Sequence, residues 1–479
     1  MTEFANWIAG RPVPARTGLA LDKFDPATGE PMARFPDSDA TDIQDAVAAA
    51  LRAQPAWAAT PAVQRGRALR EVAEAMRAER RRIAEMVHHE TGKSLKDALG
   101  ETDGACDLAH FYAGEGQRLF GRTITSGSPG RYPSTWRRPV GVAGLIIAAN
   151  TPVANVAWKI FPAMICGNAA ILKASEDAPG TASLVAEVAH SAGLPPGVLN
   201  VVHGTGIGAG RPLVAHPEVG VVSFTGSSAV GKEIAGVCAQ RLAKVSLELG
   251  GKNPFVVCDD ADLDLAVQWA LLSAFSNAGQ RCASGSRIIV FAGVYEAFRE
   301  RFVEKARALK VGTADTDDLG PVINARQLSN MESAVKGAAG RGAKVLCGGA
   351  RLNRPGYFMA PTVVEGLNAA DDLSTCELFG PIANLYSVDG YEEALALANA
   401  SPYGLTACIH TRSLDRAMDF SMRVRAGMVV VNGGTFGSEP HMPFGGVGLS
   451  GNGTREPGTE AIDIYTDLKN VVLNVGGPA

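Results

Sequence analysis

A cysteine at position 282 stands in the run Phe275-Ser-Asn-Ala-Gly-Gln-Arg-Cys-Ala-Ser-Gly-Ser-Arg287. Gly279 before it and Ser284, Gly285 and Ser286 after it add little bulk, so a substrate can approach the sulfur closely. Arg281 beside it supplies positive charge, which is expected to favour the thiolate, the nucleophilic form. One cysteine does not define a site, because free cysteines are among the most buried residues in proteins. A second stretch upstream decides the matter: Val245-Ser-Leu-Glu-Leu-Gly-Gly-Lys-Asn-Pro254 places a carboxylate, Glu248, among apolar residues before a Gly-Gly break. A thiol nucleophile and a carboxylate base are two parts that covalent catalysis needs.

The chain that must position them has 479 residues, more than one hydrophobic core usually serves, so two or more domains are expected. Its 46% hydrophobic and 20% charged residues are ordinary globular composition, and a net charge of −4 argues against nucleic acid or anionic membrane as partner. The apolar run from Val140 to Ala149 is too short to span a bilayer, and the first residues lack the basic and apolar regions of a secretory leader. Eight scattered cysteines with no CxxC pair fit reduced thiols in a cytoplasm and no metal cluster.

Residues 41–90 read as helix, with a basic cluster at Arg77, Arg80, Arg81 and Arg82 that fits a solvated face, and residues 96–114 as a further helix. From Val142 onward short apolar runs (142–148, 169–173, 198–202, 221–224) alternate with helical stretches (179–192, 228–239). A second series follows (254–258, 287–291, 344–347, 384–388, 406–410, 428–432). That alternation predicts two α/β domains built on parallel sheets, with Glu248 close to their junction. Residues 121–139 read as a hairpin around Gly-Ser-Pro-Gly, and residues 461–474 as a strand. Together they are expected to form one projecting sheet whose open edge seeks a partner.

Two glycine-rich stretches compete as phosphate cradles. Gly204-Thr-Gly-Ile-Gly-Ala-Gly210, with Gly206 at its centre, comes nearer a dinucleotide fingerprint but has no acidic residue about 20 positions on. Phe224-Thr-Gly-Ser-Ser-Ala-Val-Gly231 follows a strand and opens a helix, so its amides and the Ser227 hydroxyl can meet a pyrophosphate.

The chain resembles the aldehyde dehydrogenase superfamily, in its hydrolytic NAD(P)-dependent branch, from about residue 20 to the end. The resemblance is carried by Leu247-Glu-Leu-Gly-Gly251, Gly279-Gln-Arg-Cys282, Phe224-Thr-Gly-Ser227, Glu377-Leu-Phe-Gly-Pro381 and Pro443-Phe-Gly-Gly446. It implies a Rossmann-like parallel-sheet NAD-binding domain (1–120 and 140–249), an α/β catalytic domain (250–446) and small projecting oligomerisation strands (121–139 and 455–479). It also implies that Cys282 attacks the aldehyde, that Asn150 stabilises the oxyanion, and that Glu248 activates the water that hydrolyses the thioester. Ile146, Ile147, Lys173, Glu176, Gly206, Phe224, Gly226, Ser227, Gly231, Leu249, Glu377 and Phe379 would contact the cofactor. A carboxylate at Glu176 facing the adenosine ribose favours NAD over NADP.

The sequence departs from the family's pattern at Ala148-Ala149, Thr151, Ala174 and Gly448, where a Pro-Trp pair, a phenylalanine, a proline and a lysine are usual. Substrate-lining positions map by the resemblance to Thr151, Asn155, Trp158, Arg281, Ala283 and Ser438, with His441 nearby. That mostly polar set points to a small polar semialdehyde such as 2-oxoglutarate semialdehyde. Two other readings stay open: a coenzyme A-acylating enzyme, which would make no use of Glu248, and a catalytically retired binding protein, which would not need Cys282, Glu248 and Asn150. The expected assembly is a homodimer or homotetramer in the cytoplasm.

Overall fold

The computed structural model describes residues 1–367 and 371–475. Its framework is a pair of seven-stranded sheets. Across the first run Lys244–Glu248, Val219–Thr225, Val142–Ile146, Ala169–Lys173, Leu199–Val202, Asn6–Ile8 and Arg11–Val13. The first five are parallel, and Asn6–Ile8 and Arg11–Val13 add an antiparallel edge. Every residue of Val142–Ile146 and Ala169–Lys173 is buried, because these strands are covered on both faces. One core cluster contains Val72, Met76, Tyr112 and Phe161 and the other Ile43, Val47 and Leu213.

Strand order fixes where a ligand belongs. From Val142–Ile146 the next two parallel strands step outward on one side, and Val219–Thr225 then returns to pair on the other. The crevice beyond the strand ends at such a reversal is where open parallel sheets bind ligands.

In the second sheet the order is Lys344–Cys347, Thr362–Glu365, Ile382–Val388, Arg287–Phe291, Pro254–Val257, Thr406–His410, Met428–Val431, parallel except for Lys344–Cys347. The chain leaves the first sheet at Glu248 and enters the second at Pro254. The loop 249–253 therefore joins the C-terminal end of one sheet to the N-terminal end of the other, and Cys282 lies in the loop that leads into Arg287–Phe291.

Three expectations need correction. Residues 41–90 form three helices, Ala40–Ala59, Ala62–Ala78 and Arg80–Thr91, because Pro61 and Glu79 each stand between two of them as a cap. The expected hairpin has only one full strand, Arg131–Pro139. Residues 122–124 meet it through the Thr123–Ser134 bridge and the Ile124 N–H donating to Pro133 O (3.0 Å). Residues 461–465 are a short helix, so the C-terminal strand is Thr466–Asn474. That strand and Arg131–Pro139 do pair, antiparallel along their whole length, as a separate two-stranded sheet. Among the described residues no helix is long and apolar enough to cross a membrane.

Candidate active site

The residues singled out from the sequence collect at the C-terminal ends of the first sheet. Ile146, Lys173, Phe224 and Glu248 end, or nearly end, four of its parallel strands. The side chains of Ile146 and Ile147 are taken up by the two core clusters on opposite faces of the sheet, which leaves their backbone for a ligand. Lys173 is buried and pairs with the half-exposed Glu176 at 3.1 Å; burial lowers its pKa and the Glu176 charge opposes that. Gly206 opens a tight turn, Gly206–Gly210, closed on itself by the Gly208 N–H donating to Thr205 Oγ1 at 2.8 Å. Glu176 and Thr205 line a cleft of about 600 Å³ that also reaches Lys23 and Arg326.

Ser227 caps the helix Ser228–Gln240, its hydroxyl accepting from Val230 N at 3.4 Å. A Cβ at Gly226 would run into the Phe224 ring, and one at Gly231 would stand 2.6 Å from Leu249 Cδ2. These glycines let the helix start pack directly against the strand ends, with its first N–H groups turned to the crevice.

The loop carrying Cys282 is strained and clamped. Asn277 (φ 54°), Ala278 (φ 53°) and Gly279 (φ 67°) are consecutive left-handed residues, a conformation that costs free energy at Asn and Ala. A Cβ on Gly279 would overlap the Gly380 carbonyl, and Phe379 on that facing loop is also left-handed (φ 56°). Asn253 holds Cys282 in place: its Nδ2 donates to Cys282 O (2.8 Å) and Ser284 O (2.9 Å), and its Oδ1 accepts from Thr406 N (3.0 Å). Gln280 anchors the other side through Pro321 O and Ile323 N. Glu377 accepts from Gly251 N at 3.0 Å, and a Cβ on Gly250 would overlap its carboxylate. Burial raises Glu377 to about 7, with the Gly251 N–H and Lys252 opposing.

Burial dominates the electrostatics at Cys282. Burial, then the charges of Glu377 and Glu248, push Cys282 up to about 12, against the backbone amides of Ala283 and Cys282. The Arg281 cation and the Cys282 thiolate attract each other, as expected from the sequence, but burial outweighs that attraction. The Arg281 guanidinium lies over the Phe436 ring, 4.7 Å from the centroid, and also feels the charges of Asp97 and Glu101. Glu248 is buried with neither carboxylate oxygen hydrogen-bonded, and Gly445 is so close that a Cβ there would stand 2.8 Å from Oε1. Burial, then Glu456, raises its pKa well above the usual range, against Lys159 and Arg455. Behind it lies a buried network that the sequence reading missed: Lys159 Nζ donates to Glu456 (2.9 Å) and Ser223 Oγ (2.6 Å), and Tyr465 OH to Glu456 (2.7 Å). The available signal was a lysine in a helix, Pro152–Ile165, that is apolar apart from Asn155.

Asn150 meets the nucleophile loop directly. Its Nδ2 donates to Gln280 O at 3.0 Å, and its Oδ1 accepts from Asn155 Nδ2 at 3.2 Å. One amide N–H remains for a ligand. Asn155 also donates to Thr151 Oγ1 (3.2 Å), so both polar side chains serve the Asn150 turn. Around the sulfur the walls are more aromatic than the sequence suggested: Ala283, Leu405 and Phe444 form a small core against which Trp158, Cys282 and Phe436 pack. Phe436 and Phe444 were not among the predicted wall residues. Ser438 Oγ is buried without a hydrogen-bond partner, as is Arg281 Nε. His441 is largely exposed, 3.9 Å from Glu439. Gly448, where the family pattern has lysine, has φ 62°, and a Cβ would stand 2.5 Å from Pro402 O, so a side chain there is strained.

Cys282, the unpaired buried carboxylate of Glu248 and the Asn150 amide thus stand at one crevice. The Aldehyde dehydrogenase family profile matches residues 13–471. The chain belongs to the aldehyde dehydrogenase family. It is 36% identical over 477 residues to an alpha-ketoglutaric semialdehyde dehydrogenase of Bacillus subtilis, covering 98% of each chain. Among solved structures it resembles betaine aldehyde dehydrogenase from Staphylococcus aureus in complex with NAD+ (30% identity, TM-score 0.97, 99% of this chain and 95% of that one). It also resembles an NADP dependent enzyme of E. coli (35% identity, TM-score 0.96, 99% and 98%). The neighbours share the α/β fold and its parallel sheets, and the chain is an aldehyde-oxidising enzyme by family.

Proposed function

We propose that this aldehyde dehydrogenase oxidises a small semialdehyde with an anionic end to the carboxylic acid, through a thioester on Cys282 that Glu248 hydrolyses. The observation that carries the hydrolytic step is Glu248 itself: a buried carboxylate with no hydrogen-bond partner, its pKa raised by burial. An unpaired, partly desolvated carboxylate is a strong base once ionised, and deacylation needs one.

Cys282 Sγ, its proton lost to solvent water, adds as thiolate to the aldehyde carbon, and the carbonyl oxygen becomes an oxyanion. The free N–H of Asn150 and the backbone N–H at Cys282 are the donors for that charge. NAD, held by the Ser227-capped helix start and by Lys173 with Glu176, would supply the hydride acceptor that turns the thiohemiacetal into a thioester. Glu248 then removes a proton from water, which attacks the thioester, and the sulfur departs as the acid forms.

The crevice fits that cofactor. The Ser227-capped helix start offers N–H groups to a pyrophosphate, and Lys173 with Glu176 offers a cation and a carboxylate to a ribose. Glu377 and Phe379 stand at the nucleophile loop, where the nicotinamide end belongs. Glu176 favours NAD over NADP, because its charge repels a 2′-phosphate.

The substrate class is carried by Arg281 and Ser438, both with a buried polar atom left without a partner, which a carboxylate can satisfy. Arg281 also occupies one face of Phe436, which disfavours a quaternary ammonium at that ring. The eight thiols are all free, which supports a reducing compartment, the cytoplasm.

The test is an NADH-absorbance screen over 2-oxoglutarate semialdehyde, succinic semialdehyde, betaine aldehyde, and aliphatic and aromatic aldehydes, each with and without coenzyme A. The reading predicts the highest kcat/KM for the anionic semialdehydes and a free acid as product. Preference for betaine aldehyde would overturn the substrate class, and an acyl-coenzyme A product would overturn the hydrolytic step.

A further inference from the structure

Asn150 is held by more than its own loop. Its backbone carbonyl accepts two hydrogen bonds, from Lys93 Nζ at 2.9 Å and from Asn277 Nδ2 at 3.1 Å. Lys93 in turn is paired with Glu101 at 2.6 Å, and the two side chains are only 6% and 7% exposed. The other Glu101 oxygen accepts from Val153 N (3.0 Å) and Ala154 N (3.3 Å), the first free amides of the helix Pro152–Ile165. That helix has no cap of its own: Thr151 occupies the N-cap position but makes no side-chain capping bond. Its orphan N–H groups are satisfied instead by a carboxylate from another helix, Leu95–Glu115.

Lys93 is well fixed for this purpose. It lies in the short break between two helices. Gly92 (φ 70°) ends Arg80–Thr91 in the left-handed conformation, and Ser94 caps Leu95–Glu115 by accepting from Asp97 N at 3.1 Å. A Cβ on Gly92 would run into Pro321, next to the residues that anchor Gln280. The Lys93 end of the ion pair is therefore tied to groups that also hold the Cys282 loop, and the Glu101 end to the start of the helix after Asn150.

We propose, on the reading that Asn150 binds the oxyanion, that the buried Lys93–Glu101 pair is the positioning device for its amide. Lys93 fixes the Asn150 carbonyl and Glu101 fixes the start of the following helix. The turn between them then has one orientation, with Nδ2 toward Gln280 and the nucleophile loop. A small displacement of such a donor is costly because the oxyanion bond depends on preorganised geometry. Neither residue touches the substrate, and both act through Asn150.

The test separates oxyanion formation from general loosening. Two reactions of Cys282 are measured in Lys93→Met and in Glu101→Gln: the pre-steady-state NADH burst with aldehyde, and alkylation by iodoacetamide followed on the peptide that contains Cys282. Aldehyde addition creates an oxyanion, whereas alkylation does not. The burst rate is expected to fall about ten- to a hundredfold in each variant, the scale of weakening an oxyanion donor, with the alkylation rate within about twofold of wild type. The double variant is expected to lose no more than the worse single one, because the pair acts as a unit. An unchanged burst rate would overturn the proposal, and so would alkylation falling in parallel with the burst, which marks a merely structural role. Glu101→Gln keeps the side chain's shape and decides the question if Lys93→Met does not fold. Failure of the underlying reading is distinguishable, since Asn150→Ala would then leave the burst rate at the wild-type value.

Discussion

At the scale of single residues, Cys282 is not a ready-made thiolate. Its thiol is held up to about 12 by burial and by two carboxylates. A raised thiol pKa means that the neutral form dominates at pH 7 and that the thiolate fraction grows about tenfold per pH unit below the pKa. Without NAD, alkylation of Cys282 should therefore speed up continuously from pH 7 to beyond pH 9, with no plateau near the ordinary thiol value. Glu248→Gln removes one raising charge, so above the pH at which Glu248 ionises alkylation should be faster than in the wild type. A plateau below pH 8.5, or slower alkylation in that variant, would contradict the charge balance described. Cys282→Ala should abolish oxidation while NAD binding, read by fluorescence quenching, stays near wild type, because the cofactor crevice lies on other residues. At the ribose end, Glu176→Ser should narrow the preference for NAD over NADP by relieving repulsion of the 2′-phosphate. A wild type that prefers NADP would refute that argument.

At the scale of elements, the two packed loops are the vulnerable parts. Gly279→Ala adds a Cβ to a left-handed residue against the Gly380 carbonyl. It should displace the nucleophile loop and remove most activity at modest cost in overall stability, checked by kcat alongside thermal melting. Much of this scale was legible beforehand. Ala169–Lys173, Arg287–Phe291 and Thr406–His410 fell where their apolar runs placed them, since strands buried on both faces carry a strong local signal. The strands Lys244–Glu248 and Thr362–Glu365 escaped notice, the first because its serine and glutamate interrupt the apolar run. Motifs picked out Cys282, Glu248 and Asn150, the residues on which the proposed mechanism rests. Asn253, Lys159–Glu456 and Lys93–Asn150 were not picked out, because a polar side chain's value here comes from partners distant in sequence.

At the scale of the whole molecule, the sheet of Arg131–Pro139 and Thr466–Asn474 stands apart from both seven-stranded sheets. It carries the exposed side chains of Tyr132, Trp136, Leu468 and Leu473. Open edges and apolar side chains of this kind call for a cover, and a second copy of the chain is the simplest one. We propose a dimer or tetramer. Light scattering should give a mass at a multiple of 49.8 kDa, and deletion of the residues after Thr466 should leave dissociated or aggregated, inactive protein. A fully active monomer would refute this.

The central claim, a thioester on Cys282 hydrolysed with the help of Glu248, is tested most directly by trapping it. Glu248→Gln enzyme is mixed with NAD and aldehyde, quenched in acid, and its intact mass and peptides are measured. Slowed deacylation, plausibly by ~10²–10⁴-fold, predicts an NADH burst of about one per active site and an added acyl mass on the peptide that contains Cys282. Wild-type steady-state turnover with no acylated cysteine, or an acyl group on another residue, would contradict the account.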